Sequence, residues 1–355
     1  MLILEKRVKF LLFFVLSVIS LTSLGCKIEA DRGMIPVIPN VSVYEPGQKA
    51  IIGWDGEKEI LILSTDVYSS HKTKVLEILP LPSKPEKIEM GSFESFETVN
   101  DLIVEHGLEI QEDRKKGLLA PGTEGVTVLF KTKIGVHDIT IVEASNPEDL
   151  TYWVQDFLKK NGVDTVLDLS FAKQVIEEYT SVGFRFFVLD IIEVSNEKSV
   201  EPIVYEFRTP FLYYPLRISR IIPGDTKISL FLITKEKLEE RLFYESSMQI
   251  AYYETERGEV PVQFKVSLGE ISKIDLRLAD LFDEEAWFTA VFYEGDLSWL
   301  SKDLRIALHA KIGEKILGNN LENPVDFLIG VSVGFVLSLI ALLTVLFIKR
   351  ELREG

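Results

Sequence analysis

The chain has 355 residues, formal net charge −16, 46% hydrophobic residues and one cysteine, Cys26. So acidic a balance argues against nucleic acid or anionic lipid as a partner. A single cysteine rules out intrachain disulfides, so the fold must hold through its own core.

Lys6, Arg7 and Lys9 precede an apolar run from Phe10 to about Leu24. That run is short for a membrane span, which takes roughly 20 residues. Ser23 and Gly25 put small residues third and last before a cleavage point at Cys26, so residues 1–25 read as a signal peptide. A cysteine directly after the cut is a candidate for lipidation. The alternative is ordinary cleavage, because Ser23 stands where a lipobox carries Leu. Asn40-Val41-Ser42 is an N-glycosylation sequon in an extended lead-in.

KAIIGWDGEKEILILS gives two strands flanking an Asp55-Gly56 hairpin signal. A third strand begins near Lys74 and ends at Pro80, Pro82 and Pro85, which cannot sit in a central ladder. A helix follows with Phe93, Phe96, Val99, Leu102 and Ile103 on one face and Gly107 as its stop. VTVLFKTKIGVHDITIVEA predicts two strands with Gly135 near the bend. Asn146-Pro147-Glu148-Asp149 starts a helix that carries Leu150, Trp153, Val154, Phe157 and Leu158 on one stripe. Residues 170–181 predict another helix.

From Gly183 the chain turns strand-rich: FRFFVLDIIEV, EPIVYEF, YYPLRIS, TKISLFLIT, MQIAYYE, VPVQFKV and AWFTAVFYE. ITKEKLEERLF and IDLRLADLF are short helical segments between them, and residues 298–317 predict a final helix. Phe327 to Ile348 carries no charge, is long enough to span a bilayer, and is followed by Lys349, Arg350 and Arg353. Basic residues stay on the cytoplasmic side, so the large region before Phe327 is expected outside. The expected fold class is α+β, with mixed or antiparallel sheets, a few packed helices and one C-terminal transmembrane helix. The exposed domain spans 26–322, with a division into subdomains near 182 as an option, and 349–355 is a cytoplasmic tail.

IGVHDITIVEASNPEDLTYWVQDFLKKNG resembles the central signature of the family called domain of unknown function 2330, on Gly135, Ala144, Leu150, Trp153, Asn161 and Gly162. QKAIIGWDG, ILPLPSKP, YTSVGFRFFVLDI and EFRTPFLYYPLRIS resemble its other blocks, so the likeness runs from about residue 30 to 300. The chain departs from many members at Glu77, where they carry an aromatic residue. The resemblance implies an exported domain with no established activity.

Overt chemistry is sparse. His71, His106, His137 and His309 belong to no HExxH or Cys/His cluster, so no metal is expected. His137-Asp138 reads first as a ring packed at a sheet surface, and as a base with its orienting group only second. No nucleophile elbow, Walker motif or dinucleotide fingerprint occurs, and no cofactor is expected. The acidic runs Glu177-Glu178, Glu239-Glu240 and Asp283-Glu284-Glu285 read as solvated faces rather than a calcium site. Phe211, Tyr213 and Tyr214 form a candidate binding patch, because consecutive apolar positions leave some ring facing out.

The expected function is a single-pass, membrane-anchored extracytoplasmic protein with a structural or interaction role toward surface proteins or glycans. The alternatives are a carboxylate-based hydrolase of glycan or peptide, and an accessory subunit of a membrane complex.

Overall fold

The computed structural model describes residues 35–36, 43–44 and 47–307, except 70–72, 109–126, 135–136, 161–168, 195–197, 200, 222–223 and 256–257. The signal segment with Gly25 and Cys26, Asn40, His71, His309 and the run 327–348 lie outside the described residues. Among the described residues no helix is long and apolar enough to cross a membrane.

In chain order the main strands are β1 (Gln48–Trp54), β2 (Lys58–Ser69), β3 (Thr73–Leu81), β4 (Lys87–Met90), β5 (Thr127–Ile134) and β6 (His137–Glu143). Then come β7 (Phe186–Val194), β8 (Ile203–Arg208), β9 (Leu212–Tyr214), β10 (Asp225–Thr234), β11 (Gln263–Val266), β12 (Ala286–Asp296) and β13 (Leu304–Ile306). The helices are α1 (Phe93–Glu105), α2 (Pro147–Lys160), α3 (Ser170–Ser181), α4 (Leu268–Ile274) and α5 (Leu276–Ala279).

The smaller sheet runs Ile35–Pro36, β3, β7, β6, β5, antiparallel throughout. The larger runs Gln249–Ile250, β12, β10, β1, β2, β8, β4, antiparallel except where β10 lies parallel to β1. Strands from before and after residue 182 pair with each other in both sheets, β3 with β7 and β1 with β10, so no cut near 182 separates two subdomains.

Local chemistry accounts for the elements that periodicity anticipates. The Asp55 side chain accepts from the amides of Glu57 and Lys58 at 2.7 and 2.8 Å, and Gly56 takes φ +105°, which closes the turn from β1 to β2. The Asn146 side chain caps α2 by accepting from the Asp149 amide at 2.7 Å. The apolar stripe of α2 is buried, with Trp153 stacked on Phe157 at 4.6 Å. Gly107, in the left-handed region, ends α1 as the Leu108 amide returns to the Ile103 carbonyl at 2.9 Å.

One face of the larger sheet carries Ile51, Ile60, Ile62, Phe231, Ile233 and Phe288, covered by α1, α4 and α5. Gly53 sits on this face, where an added Cβ would stand 2.7 Å from Leu278 Cδ2, so glycine is what lets α5 approach. Strand β3 ends among its prolines as expected, with Leu81 its last residue and Pro82 just beyond it. Pro80 lies within the strand, opposite Phe187. The neighbour on its other side, Ile35–Pro36, pairs only Leu76 and Val75, so the missing N–H of Pro80 breaks no pairing with that segment. The segment after Leu81 then crosses to the larger sheet, where the Glu86 amide bonds the Glu206 carbonyl at 2.7 Å and β4 adds as an edge strand.

Several expectations are corrected. The helix expected over 298–317 is, in its described part, a single 3-10 turn at Leu297–Trp299 followed by strand β13 paired with β9. YYPLRIS ends as a 3-10 turn, Arg217–Ile221, because Pro215 interrupts the strand. MQIAYYE is two short strands rather than one, and only Glu240–Ser246 of the ITKEKLEERLF region and its sequel winds, as 3-10. Helix α4 was not legible from apolar spacing. It is set by a capping box between Ser267 and Glu270.

Candidate functional site

Phe211 to Tyr214 runs between the two sheets. The Tyr213 amide donates to Glu59 of β2 at 2.7 Å and its hydroxyl donates to the Pro80 carbonyl of β3 at 3.1 Å. The Tyr214 hydroxyl donates to Gln48 Oε1 of β1 at 2.5 Å. Tyr213 and Tyr214 are therefore fully buried, and this corrects the expected patch: only Phe211 keeps partial exposure. Consecutive apolar residues were satisfied here by neighbours on both sides, since the strand is an internal wedge. Glu59 is fully buried too, and burial raises its pKa well above the ordinary value against the opposing Tyr213 amide.

His137 and Asp138 point to opposite faces of β6. His137 reaches Asp190 of β7 through Nδ1, while its Nε2 lies 2.9 Å from the Glu201 carbonyl. A carbonyl only accepts, so Nε2 is the donor toward Glu201. Glu77 stands directly across from Asp190 on β3, and all three side chains are 5% exposed or less. None of them lines either cavity described below. His106 pairs with Glu270 at 3.2 Å and stacks on Phe264 at 3.9 Å. The acidic runs form surface pairs: Glu178 with Arg220, Glu239 with Arg241, and Glu285 with Lys265. Among the described residues no group of three His, Cys, Asp or Glu is arranged to hold a metal ion.

The most developed polar constellation joins α3, the turn Arg217–Ile221 and the approach to β13. Ala172, Val175, Ile176 and Tyr179 form the buried stripe of α3, which delivers the Tyr179 hydroxyl to the interior. It donates to Asp303 Oδ1 at 2.6 Å and accepts from the Ile218 amide at 3.0 Å. Arg217 donates to Asp303 through its amide and its Nη2, both at 3.0 Å. Arg305, two residues along and on the same face, donates through Nη2 at 3.2 Å. The Asp303 side chain is 0% exposed and accepts four hydrogen bonds, which is what makes a buried carboxylate tolerable.

Rings steady the cations. Arg217 lies over Tyr179 at 4.3 Å, and Arg305 lies over Phe184 at 4.8 Å and Phe211 at 5.6 Å. Burial and the neighbouring Asp303 hold the Tyr179 hydroxyl well above its ordinary pKa. Burial works most strongly against the Arg217 charge, but Asp303 together with Tyr179 and Tyr213 outweighs it and the pKa is raised.

This network walls a cavity of about 250 Å3 whose lining includes Arg217, Leu242, Glu245, Ser246, Lys302 and Arg305. A second, more open cavity of about 340 Å3 lies between α2 and α3, where Lys173 pairs with Glu148 at 2.6 Å. No local pattern in the chain announces the first. Tyr179, Arg217 and Asp303 are separated by tens of residues, and the only local trace is the alternation Asp303-Leu304-Arg305-Ile306.

No curated protein matches the chain significantly. The solved structure of a mutated baculovirus P35 after caspase cleavage aligns at 8% identity and TM-score 0.39, over 74% of this chain and 99% of that one. A chain of the caspase-8/P35 complex aligns at 11% identity and TM-score 0.31, over 74% and 91%. Likeness at this level carries no argument about fold or activity. The family model described as an uncharacterized protein conserved in bacteria, domain of unknown function 2330, matches residues 30–313. Since that match covers most of the chain, the protein belongs to the domain of unknown function 2330 family.

Proposed function

We propose that this protein is a membrane-anchored extracytoplasmic domain that works by binding rather than by catalysis. The observation that carries the reading is the uncharged run Phe327–Ile348, closed by Lys349 and Arg350, which follows the folded region on the same chain. Such a run partitions into a bilayer, and its basic end favours the cytoplasmic side. The binding part is supported by where the reactive groups are. His137 and Asp190 are bonded to each other and closed off, and Glu59 is inside the sheet packing.

The hydrolase alternative has one observation on its side. The first cavity holds two acids in unlike surroundings, Asp303 and Glu245. Asp303, however, is saturated by four donors and serves as a counter-ion, while Glu245 is 80% exposed and paired with Lys302 at 2.7 Å.

The test is alkaline carbonate extraction of membranes holding the full chain, a form ending at residue 322, and that short form with Cys26→Ser. The full chain is expected in the pellet and the doubly altered form in the supernatant. If the short form stays in the pellet and Cys26→Ser releases it, Cys26 is a second, lipid anchor. Release of the full chain by carbonate would overturn the anchoring.

A further inference from the structure

The cavity beside Asp303 has more positive charge than its own acids neutralise. Four cations, Arg217, Arg220, Lys302 and Arg305, meet three carboxylates: Asp303 takes Arg217 and Arg305, Glu178 takes Arg220 at 2.5 Å and Arg217 at 3.6 Å, and Glu245 takes Lys302. One cationic charge is left over, on a chain whose net charge is −16. The excess is centred on Arg305. Its guanidinium has five N–H donors, and the hydrogen bond it makes among the described residues is the one to Asp303. The side chain is 34% exposed, with its guanidinium carbon 4.8 Å from the Phe184 ring centre and 5.6 Å from that of Phe211. A guanidinium fixed in this way, with an open donor edge, is prepared to take a carboxylate in two-pronged fashion without losing much side-chain freedom.

The rest of the lining asks for a hydroxylated ligand. Glu245 offers acceptors, Lys302 a donor, and Ser301 a group that does both, while Leu242 and Val182 supply apolar wall. At about 250 Å3 the space is below the roughly 300–1,000 Å3 of pockets for drug-sized molecules. Space of this order suits one small polar molecule. We infer that this cavity binds a uronate, a sugar unit bearing a carboxylate, either free or at the end of a glycan. The Arg305 edge receives the carboxylate, and Glu245, Lys302 and Ser301 meet the ring hydroxyls. This deepens the binding reading by naming a ligand class. It does not depend on the membrane topology, so titration and carbonate extraction can fail independently.

The test is calorimetric titration of the detergent-solubilised full chain with glucuronate, glucose, acetate and a uronate-terminated oligosaccharide. Glucuronate is expected to bind saturably, with glucose and acetate each at least about tenfold weaker, since each lacks one half of the recognised groups. The oligosaccharide arm separates the two sources: tighter binding than the monosaccharide marks a glycan end, and weaker binding marks the free sugar acid. Arg305→Gln is expected to weaken glucuronate about tenfold or more. Because Arg305 also bonds Asp303, Lys302→Glu at an exposed position is the companion variant, with the same direction expected and an unchanged circular dichroism spectrum. The inference is overturned by absent binding of glucuronate, by equal binding of glucose or of acetate, or by a folded Lys302→Glu protein that binds glucuronate as the wild type does.

Discussion

Replacing Glu59 by glutamine probes the most desolvated carboxyl between the two sheets. One Glu59 oxygen accepts from the Tyr213 amide at 2.7 Å, and the other has no hydrogen-bond partner among the described residues. Burial raises its pKa well above the ordinary 4.5, with only the Tyr213 amide opposing. In the unfolded chain the carboxyl ionises near 4.5, whereas the native state keeps its proton to higher pH. Over that window the native state binds one proton more than the unfolded state, so this group makes stability fall as pH rises. Its contribution is complete below pH 4.5 and is lost as pH climbs toward the native value, at no more than about 1.4 kcal/mol per pH unit. Glutamine keeps an acceptor for Tyr213 and cannot ionise. At pH 4 the variant should match the wild type or fall short by about 1–3 kcal/mol, the cost of an unpaired amide donor. As pH rises above 5 the difference should move in the variant's favour until the native carboxyl has ionised. Urea titrations of the solubilised chain at each pH, followed by tryptophan fluorescence, give that difference directly, and other titrating groups cancel in it. A difference that stays flat from pH 4 to 8 would mean that Glu59 is not held protonated by burial.

Two substitutions test the packing of α3 and α2. Tyr179→Phe removes a hydroxyl that donates to Asp303 and accepts from the Ile218 amide. Losing a hydrogen bond to a charged group and orphaning a buried amide should together cost about 3 kcal/mol, and an unchanged urea midpoint would contradict the network. Trp153→Ala empties a fully buried site stacked on Phe157 and should destabilise by about 3–5 kcal/mol. A loss below about 1 kcal/mol in the same titration would mean that α2 is not docked as described.

What the sequence disclosed follows from how locally each feature is specified. Helix α2 was legible because its cap, its first-turn acids and its stripe of Leu150, Trp153 and Phe157 all lie within one short segment. The Asp55-Gly56 turn and the Gly107 stop were legible for the same reason. Strand β13 was not. Three residues of alternating burial, Leu304, Arg305 and Ile306, are too few to outweigh helical spacing nearby, and their partner strand is distant in the chain. The candidate site was hidden for a stronger version of that reason. Nothing near Asp303 announces that Tyr179 and Arg217 will converge on it, because their meeting is a product of how α3 and the Arg217 turn pack. The burial of Tyr213 and Tyr214 was likewise decided by two sheets closing over one strand, which no local pattern records.

We propose that the folded region is displayed outside the membrane and held there by the C-terminal run. A cell-impermeant maleimide tests it on intact cells, in a Cys26→Ser background that leaves no native cysteine. Tyr244→Cys marks the folded region at a site 68% exposed, and Glu351→Cys marks the tail. Labelling is expected for Tyr244→Cys on intact cells and for Glu351→Cys only after permeabilisation. Labelling of the tail with protection of the folded region would contradict it.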